Sequence, residues 1–281
     1  MAAHPGAAAG KGARTVTFAP VRVDGVGLRF GRRQLWEGLS FELAAGEFLA
    51  VLGPNGTGKT SLIRMIMGLL KPSGGVVEVN GRAPVQARAG IGYIPQHRAF
   101  DPDLPLRGRD LVRLGLDGQR WGLGGAGRKL DERVGQALRE VGAAAYADQP
   151  VGRLSGGEQQ RLRIAQALVS DPGLLLADEP LLSLDLASQR MVTSLLDGRR
   201  RAAGTPVVFV THDINPVLSM VDRVLYLAPG DWAIGPPREV LTSDTLSRLY
   251  GTPVDVLDVR GRIVVVGTPD DHGAHHDHGP A

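Results

Sequence analysis

The stretch GPNGTGKT, residues 53–60, matches the phosphate-binding pattern G-x-x-x-x-G-K-[ST]. It lies between a predicted buried strand, residues 47–52, and a predicted helix, residues 61–70, which is the context that the pattern requires. Glycines let backbone N–H groups turn towards a phosphate, and a helix N-terminus adds partial positive charge. A chance glycine-rich turn is the alternative, but the lysine and the flanking elements favour a nucleotide site. The candidate nucleotide contacts are Gly53, Pro54, Asn55, Gly56, Thr57, Gly58, Lys59, Thr60 and Ser61.

Two side chains of this loop have expected chemical roles. Lys59 is expected to pair with the β and γ phosphates of the nucleotide, which makes it a candidate catalytic residue. The hydroxyl of Thr60 is expected to bind Mg²⁺. The loop therefore predicts a nucleoside triphosphate and a magnesium ion bound together.

An acidic pair, Asp178-Glu179, follows the wholly apolar predicted strand 174–177. Two adjacent carboxylates at the end of a buried strand are costly unless they hold a cation or move a proton. We therefore expect Asp178 to hold Mg²⁺ and Glu179 to act as general base on the attacking water. Alone, the pair is also typical of an ordinary strand end. Beside a phosphate loop, it predicts an NTPase.

The order of the predicted elements indicates an α/β fold. Apolar strands at residues 174–177 and 207–210 are separated by the long predicted helix 186–203, which is typical of a parallel sheet covered on both faces. Further strands are predicted at 21–30, 39–43, 76–80 and 91–94, and helices at 110–116, 130–141 and 158–169. Residues 106–151 form an inserted helical lobe in this prediction, interrupted by the glycine-rich stretch 122–127. Residues 254–258 and 263–266 flank Arg260-Gly261 as a predicted hairpin.

Composition limits the classes of function. The chain has 281 residues, 43% of them hydrophobic, and a formal net charge of +3, which fits a soluble globular protein with no face obliged to bind nucleic acid. The absence of cysteine excludes thiol catalysis and cysteine-ligated zinc, and is compatible with a reducing compartment. The N-terminal residues lack the apolar run of a signal peptide, and no window reaches the length of about 18 apolar residues needed to cross a bilayer. Any transport role is therefore expected to need a separate membrane partner.

The segment LSGGEQQR, residues 154–161, narrows the prediction further. Ser155 and two glycines open a helix, so that amides, a hydroxyl and the helix dipole can face an anion. Here the sequence closely resembles the ATP-binding cassette (ABC) family, from about Val21 to Gly267. The resemblance implies the nucleotide-binding domain of that family: a RecA-like parallel sheet, an N-terminal antiparallel β subdomain and an inserted helical subdomain. It also implies that Ser155, Gly156, Gly157 and Glu158 contact the ATP held by a second subunit.

Other positions match the family's pattern one by one. By this resemblance, Phe30 stacks on adenine, although a core aromatic is the simpler alternative. Gln96 resembles the glutamine that reaches Mg²⁺ and the attacking water, and Asp185, in Ser183-Leu184-Asp185, resembles the D-loop aspartate. His212, just after the strand 207–210, resembles the switch histidine that contacts the γ phosphate. The implied catalytic set is Glu179, His212, Gln96 and Lys59, and the implied Mg²⁺ contacts are Thr60, Gln96 and Asp178.

Spacing favours a transporter within the family. The interval between Gln96 and Ser155 suits a compact helical lobe and is too short for the long coiled coil of chromosome-maintenance relatives. Only one set of motifs is present, whereas translation-associated relatives generally carry two. The resemblance thus implies an ATPase at the cytoplasmic face of the membrane. Its implied partners are integral-membrane permease subunits, a second ATP-binding subunit and, indirectly, an extracytoplasmic metal-binding protein.

The cargo is a weaker inference from resemblance. Residues 91–96, residues 211–218 and Leu249-Tyr250-Gly251 resemble the zinc and manganese importer branch, so import of a divalent metal is expected. Import of another substrate, such as an iron–siderophore complex, and a non-transport ATPase are the alternatives that remain.

The two ends of the chain are expected to be tails. Residues 1–17 are predicted to be a flexible tail, 18–267 the nucleotide-binding domain with its helical subdomain at about 97–160, and 268–281 a disordered tail. The last segment carries His272, His275, His276 and His278. Imidazoles near carboxylates can bind transition metals, although a solvated polar tail is the simpler interpretation.

Overall fold

The computed structural model describes residues 19–96, 99–117, 127–182 and 184–267. The predictions for both tails, for most of the glycine-rich stretch 122–127 and for Ser183 lie outside these residues. The strands are β1 (Val21–Phe30), β2 (Arg33–Leu43), β3 (Phe48–Leu52), β4 (Gly74–Val79), β5 (Ile91–Ile94), β6 (Leu174–Asp178), β7 (Val207–Val210), β8 (Arg223–Ala228), β9 (Asp231–Gly235), β10 (Val254–Val259) and β11 (Arg262–Gly267). The helices are α1 (Lys59–Ile66), α2 (Pro84–Ala87), α3 (Gly108–Asp117), α4 (Arg128–Glu140), α5 (Gly156–Leu168), α6 (Leu186–Ala203), α7 (Pro237–Val240) and α8 (Ser243–Tyr250).

The central sheet has six strands in the order β5-β6-β7-β3-β8-β9. The first five run parallel, and β9 is an antiparallel edge strand paired with β8. Alternate residues of β3 enter two cores, with Phe48 and Ala50 on one side and Leu49 and Val51 on the other. The predicted α/β fold, with a parallel sheet covered on both faces, is therefore confirmed.

The N-terminal strands form a second, antiparallel sheet in the order β2-β1-β4. This sheet packs against α1, because Trp36 and Leu28 share a buried core with Leu62 and Ile66. β2 begins at Arg33, six residues before the predicted start, because burial does not alternate there: Leu35 and Trp36 are both buried, and the two residues that follow are both exposed. The sheet thus forms a wall beside the phosphate loop.

The helical lobe contains α3 and α4, which pack against α5. Its buried side chains include Val112, Leu138 and Leu162, which continue the core on one face of the central sheet. In the described part of the chain, no helix is long and apolar enough to cross a membrane.

Several element ends differ from the sequence prediction. α1 begins at Lys59 and ends at Ile66, whereas residues 61–70 were predicted. It ends early because Gly68 has a φ of +66°, a left-handed conformation that helices do not continue through. No element was predicted for residues 218–253, where the structure has β8, β9, α7 and α8. The hairpin β10–β11 lies where it was predicted and turns at Arg260 and Gly261, both with positive φ.

Candidate functional site

The phosphate loop is held in shape by the wall of β1 and β2. Gly58 has a φ of +94°, and a Cβ there would lie 2.7 Å from Cδ2 of Leu28, so only glycine fits. The indole Nε1 of Trp36 donates a hydrogen bond of 2.9 Å to the buried carbonyl of Thr57. The backbone conformation at Gly58 and the hydrogen bond from Trp36 thus both fix the shape of the loop.

Lys59 begins α1 with its ammonium group inside the curve of this loop. Its Nζ donates to the carbonyls of Gly53 at 2.6 Å and Pro54 at 2.8 Å. Burial lowers the pKa of Lys59, and the nearby charges of Glu179 and Asp178 oppose that shift. The loop therefore presents a partly desolvated cation, whose attraction for an anion is stronger than in water.

Asp178 ends β6 directly beside the loop, and its side chain is buried. Burial raises the pKa of this carboxyl, while a hydrogen bond from the Thr60 hydroxyl lowers it. A buried carboxylate and a hydroxyl thus lie in contact, and Gln96 lines the same cleft as Thr60. This set of oxygen donors is the kind that Mg²⁺ prefers, and the residues present fit that ion.

Glu179 occupies the turn that leaves β6, with a φ of +48°, which is unusual for a residue other than glycine. Its N–H donates to the carbonyl of Val210 at 2.9 Å, which fixes the turn against β7. The carboxylate Oε2 lies 3.5 Å from Nδ1 of His212, which follows β7. Because β6 and β7 are parallel neighbours, their carboxyl ends bring these two side chains together.

Lys59, Gln96 and Glu179 line a cleft of about 400 Å³, whose lining does not include Asp178 or His212. His212 lines a second, smaller cavity of about 130 Å³ together with Glu179. Of the residues expected from the sequence, the cleft is lined by Phe30, Asn55, Gly56, Gly58, Lys59, Thr60, Ser61, Gln96 and Glu179. Phe30 lies at the rim, where 53% of its surface is exposed, so the interpretation as a core aromatic is wrong. The cleft is large enough for a small organic phosphate.

Ser155 and its neighbours do not line this cleft in the described chain. Ser155 instead caps α5: its Oγ lies 3.4 Å from the N–H of Glu158, and the Glu158 carboxylate accepts from the Ser155 N–H at 2.9 Å. This reciprocal capping box leaves the amides of Gly156 and Gly157 at the open end of the helix. In the single chain the start of α5 is therefore separate from the cleft at the phosphate loop.

Asp185 caps α6, where its carboxylate accepts from the N–H of Ser188 at 2.8 Å and from the Ser188 hydroxyl at 2.9 Å. These hydrogen bonds lower its pKa. Arg161 of α5 donates to the same hydroxyl at 2.5 Å. Buried Gln160 donates to the carbonyl of Pro180 at 3.1 Å. The segment after Glu179 is thereby joined to the helix that Ser155 opens.

Sequence reasoning missed three residues at this site. Arg33 and Leu35 line the cleft from β2, and Trp36 supports the loop from the same strand. Leu35 and Trp36 are consecutive and both buried, so this part of β2 lacks the alternation of apolar and polar residues that predicts a strand. Trp36 and Thr57 are 21 residues apart along the chain, and no local pattern predicts a contact over that separation.

Comparison with known proteins agrees with the geometry. Residues 36–182 match the family described as ABC transporter, and the chain belongs to the ABC transporter family, whose members carry an ATP-binding domain of this kind. Among individual proteins, the chain is 34% identical to the zinc import ATP-binding protein ZnuC of Pseudomonas fluorescens, over 93% of this chain and 99% of the relative.

Two further comparisons extend this likeness. The chain is 34% identical to the manganese transport system ATP-binding protein MntB of Bacillus subtilis, over 83% of this chain and 92% of the relative. Among solved structures, it is similar to a dimeric ATP-binding cassette in a post-hydrolysis state with ADP and phosphate. The TM-score there is 0.65 at 29% identity, over 74% of this chain and 94% of the other. The ABC cassette fold predicted from the sequence is confirmed.

Proposed function

We propose that this protein is the ATP-hydrolysing subunit of a transporter that imports a divalent metal ion, zinc or manganese, through separate permease subunits. The observation that carries the ATPase assignment is that Lys59 and Glu179 line one cleft beside the phosphate loop, where the buried Asp178 is hydrogen-bonded to Thr60. The cargo is supported by the two relatives with 34% identity, one named for zinc import and one for manganese transport.

ATP is held mainly by the phosphate loop and by β1 and β2. The adenine would stack on the exposed ring of Phe30 at the cleft rim, and the triphosphate would lie along Asn55, Gly56 and Gly58. Lys59 neutralises the β and γ phosphates from inside the loop. The positively charged end of α1 adds to this attraction.

Magnesium would be held by Thr60, Asp178 and Gln96, whose oxygen donors suit it. When bound, it neutralises negative charge on the phosphate oxygens. The hydrogen bond from the Thr60 hydroxyl stabilises the charged form of the buried Asp178 and so opposes the rise in its pKa. A raised pKa means that this carboxylate is costly to bury, and a cation beside it would remove that cost.

Hydrolysis rests on Glu179 and His212. The Glu179 carboxylate takes a proton from the attacking water, and its turn is fixed by the hydrogen bond to Val210. The His212 imidazole, with Nδ1 at 3.5 Å from that carboxylate, can face the γ phosphate from the other side of the water. Two groups from adjacent strands thus act on one proton-transfer step.

Two subunits complete each ATP site in this proposal. The Ser155 hydroxyl donates to the Glu158 carboxylate at 2.7 Å, and the helix that Ser155 opens presents the N–H groups of Gly156 and Gly157 at its start, apart from its own chain's cleft. A second copy placed head to tail would bring these groups onto the γ phosphate. ATP would then join the two copies, and closure of the pair would drive the permease.

The protein would act at the cytoplasmic face of the membrane, attached through its permease, with an extracytoplasmic metal-binding protein supplying the ion. The helical lobe, residues 97–160 of the proposed domain 18–267, would contact the permease. Reconstitution into liposomes with its permease subunits tests the proposal. We expect Mg²⁺-dependent ATP hydrolysis coupled to uptake of zinc or manganese. Uptake of an iron–siderophore complex but of neither metal ion would contradict the proposed cargo. An ATPase rate that is the same with and without the permease would contradict the transport role.

A further inference from the structure

The loop that carries His212, residues 211–217, is held by two consecutive side-chain turns. The Thr211 hydroxyl donates to the carbonyl of Asp213 at 2.8 Å and accepts from the Asp213 N–H at 3.2 Å. Oδ1 of Asp213 then accepts from the backbone N–H of Asn215 at 2.9 Å and from its Nδ2 at 2.8 Å. The backbone on each side of His212 is therefore fixed by its neighbours, whereas the side chain of His212 is 61% exposed.

The side chain of Asn215 also reaches a distant part of the chain. Its Nδ2 donates to the carbonyl of Ile263 at 3.0 Å, and its Oδ1 accepts from the N–H of Ile263 at 2.8 Å. Both amide hydrogens and the oxygen of this half-buried side chain are thus used. Asn215 binds one residue of β11 as a neighbouring strand would.

The hairpin register explains why Ile263 is available. Val259 and Arg262 close the two-residue turn, so the next pair, Asp258 and Ile263, points its backbone groups away from the hairpin. The N–H and carbonyl groups of Ile263 therefore lie on the outer edge of β11, where Asn215 can reach them. β10 and β11 form a sheet of their own, and β10 is tied to α8 by hydrogen bonds of 2.9 Å from Val256 to Ser243 and from Val254 to Ser247. The hairpin is thus anchored independently of Asn215.

We infer that Asn215 is a positioning residue for His212, and that the hairpin β10–β11 braces the loop 211–217 through it. The brace is stiff because Ile263 and Val256 pack against the main core, where Ile214 and Val217 are buried. Loss of the Asn215 side chain would free both ends of this connection. His212 would then no longer be held 3.5 Å from the Glu179 carboxylate. This inference rests on the proposed ATPase function and concerns the same site.

The test compares Asn215→Ala with Ser243→Ala in the full chain. Ser243→Ala also removes a hydrogen bond that holds the hairpin, but that bond ties it to α8 rather than to the loop. We expect Asn215→Ala to lower kcat about tenfold with KM for ATP changed less than about twofold, since small displacements of a catalytic group are costly and ATP is held elsewhere. Ser243→Ala is expected to keep the kcat of the unaltered protein. Equal losses of kcat in both variants would overturn the inference.

A double-variant cycle separates positioning from a general structural effect. If Asn215 acts through His212, Asn215→Ala costs nothing further in a His212→Ala background. The same fold-loss in both backgrounds would show that Asn215 supports the fold and not the histidine, and would overturn the inference. Failure of the unaltered protein to hydrolyse ATP would instead contradict the proposed function. Hydrogen exchange of residues 211–217 should be faster in Asn215→Ala than in Ser243→Ala, and unchanged exchange would count against the brace.

Discussion

Nδ1 of His212 lies 3.5 Å from Oε2 of Glu179, although the two residues are separated by β7 and the whole of α6. The contact exists because β6 and β7 are parallel neighbours and end at the same edge of the sheet. Glu179 is largely shielded from solvent, with 14% of its side chain exposed, whereas 61% of the His212 side chain is exposed. This arrangement suits the proposed roles, in which Glu179 is a base shielded from solvent and His212 contacts the substrate.

The first prediction concerns the base. Glu179→Gln keeps the shape of the side chain but cannot accept the proton, so the rate of ATP hydrolysis should fall by about 100-fold or more. ATP should still bind, because the phosphate loop is untouched, and a stable ATP-dependent dimer should form. Phosphate release and size-exclusion chromatography measure the two effects. The exposed Glu37→Gln is the control and should behave as the unaltered protein. Hydrolysis at the normal rate by Glu179→Gln would rule out the assigned role.

The second prediction uses the raised pKa of Asp178. Burial raises this pKa in the folded protein, so the carboxyl favours folding when it is protonated, below its unfolded pKa of about 3.9. That contribution is lost as the pH rises through the folded value. Asp178→Asn avoids the cost of a buried charge and can still accept from Thr60. Without nucleotide or Mg²⁺, its Tm at pH 7 should be about 2–4 °C higher, corresponding to roughly 1 kcal/mol.

The advantage of Asp178→Asn should shrink as the pH approaches about 4, where the unaltered carboxyl also becomes neutral. Thermal melting across this pH range measures the difference. The exposed Asp255→Asn should show no such trend. A lower Tm of Asp178→Asn at neutral pH would contradict the assigned burial cost. Mg²⁺-dependent hydrolysis should be lost in the same variant despite its stability.

The third prediction tests the support of the phosphate loop. Trp36→Phe removes the N–H that donates to Thr57 while keeping most of the buried ring. The unpaired carbonyl should cost about 1–3 kcal/mol of stability, and KM for ATP should rise several-fold because the loop loosens. Trp232→Phe is a matched control, since its indole donates to the carbonyl of Glu37 at 3.0 Å, away from the loop. An equal rise in KM in both variants would disprove the specific role of Trp36.

The fourth prediction tests whether ATP sites are shared between chains. Lys59→Ala and Ser155→Arg should each be inactive alone, the second at a capping cost of only about 1 kcal/mol. In a mixed dimer arranged head to tail, one site would combine the intact Lys59 of one chain with the intact Ser155 of the other. The mixture should therefore regain ATP hydrolysis. The double variant mixed with either single variant contains no intact site and serves as the control. A mixture as inactive as its components would exclude the shared site.

The extent of sequence prediction can be seen in particular elements. α6 and β7 have the predicted ends, because long helical periodicity and a short apolar run bounded by Thr205-Pro206 are local signals. α1 ends four residues earlier than predicted because Gly68 adopts a positive φ, and a Cβ at Gly68 would lie 2.8 Å from the backbone nitrogen of Val85. β8 and β9 were not predicted, because a short apolar run between loops does not by itself distinguish a strand from other buried segments. The position of β9 at the sheet edge is set by pairing.

The sequence by itself determined the chemistry that is available: a lysine in a glycine-rich loop, an acidic pair after a buried strand, and a serine that opens a helix. These are local patterns, in which backbone geometry follows from residues that are close along the chain. Only the tertiary structure decided which of them meet. It placed His212 beside Glu179 and tied Asn215 to Ile263, while keeping Ser155 away from its own cleft. Such contacts depend on strand order and on the packing of distant segments, and no short-range pattern encodes that packing.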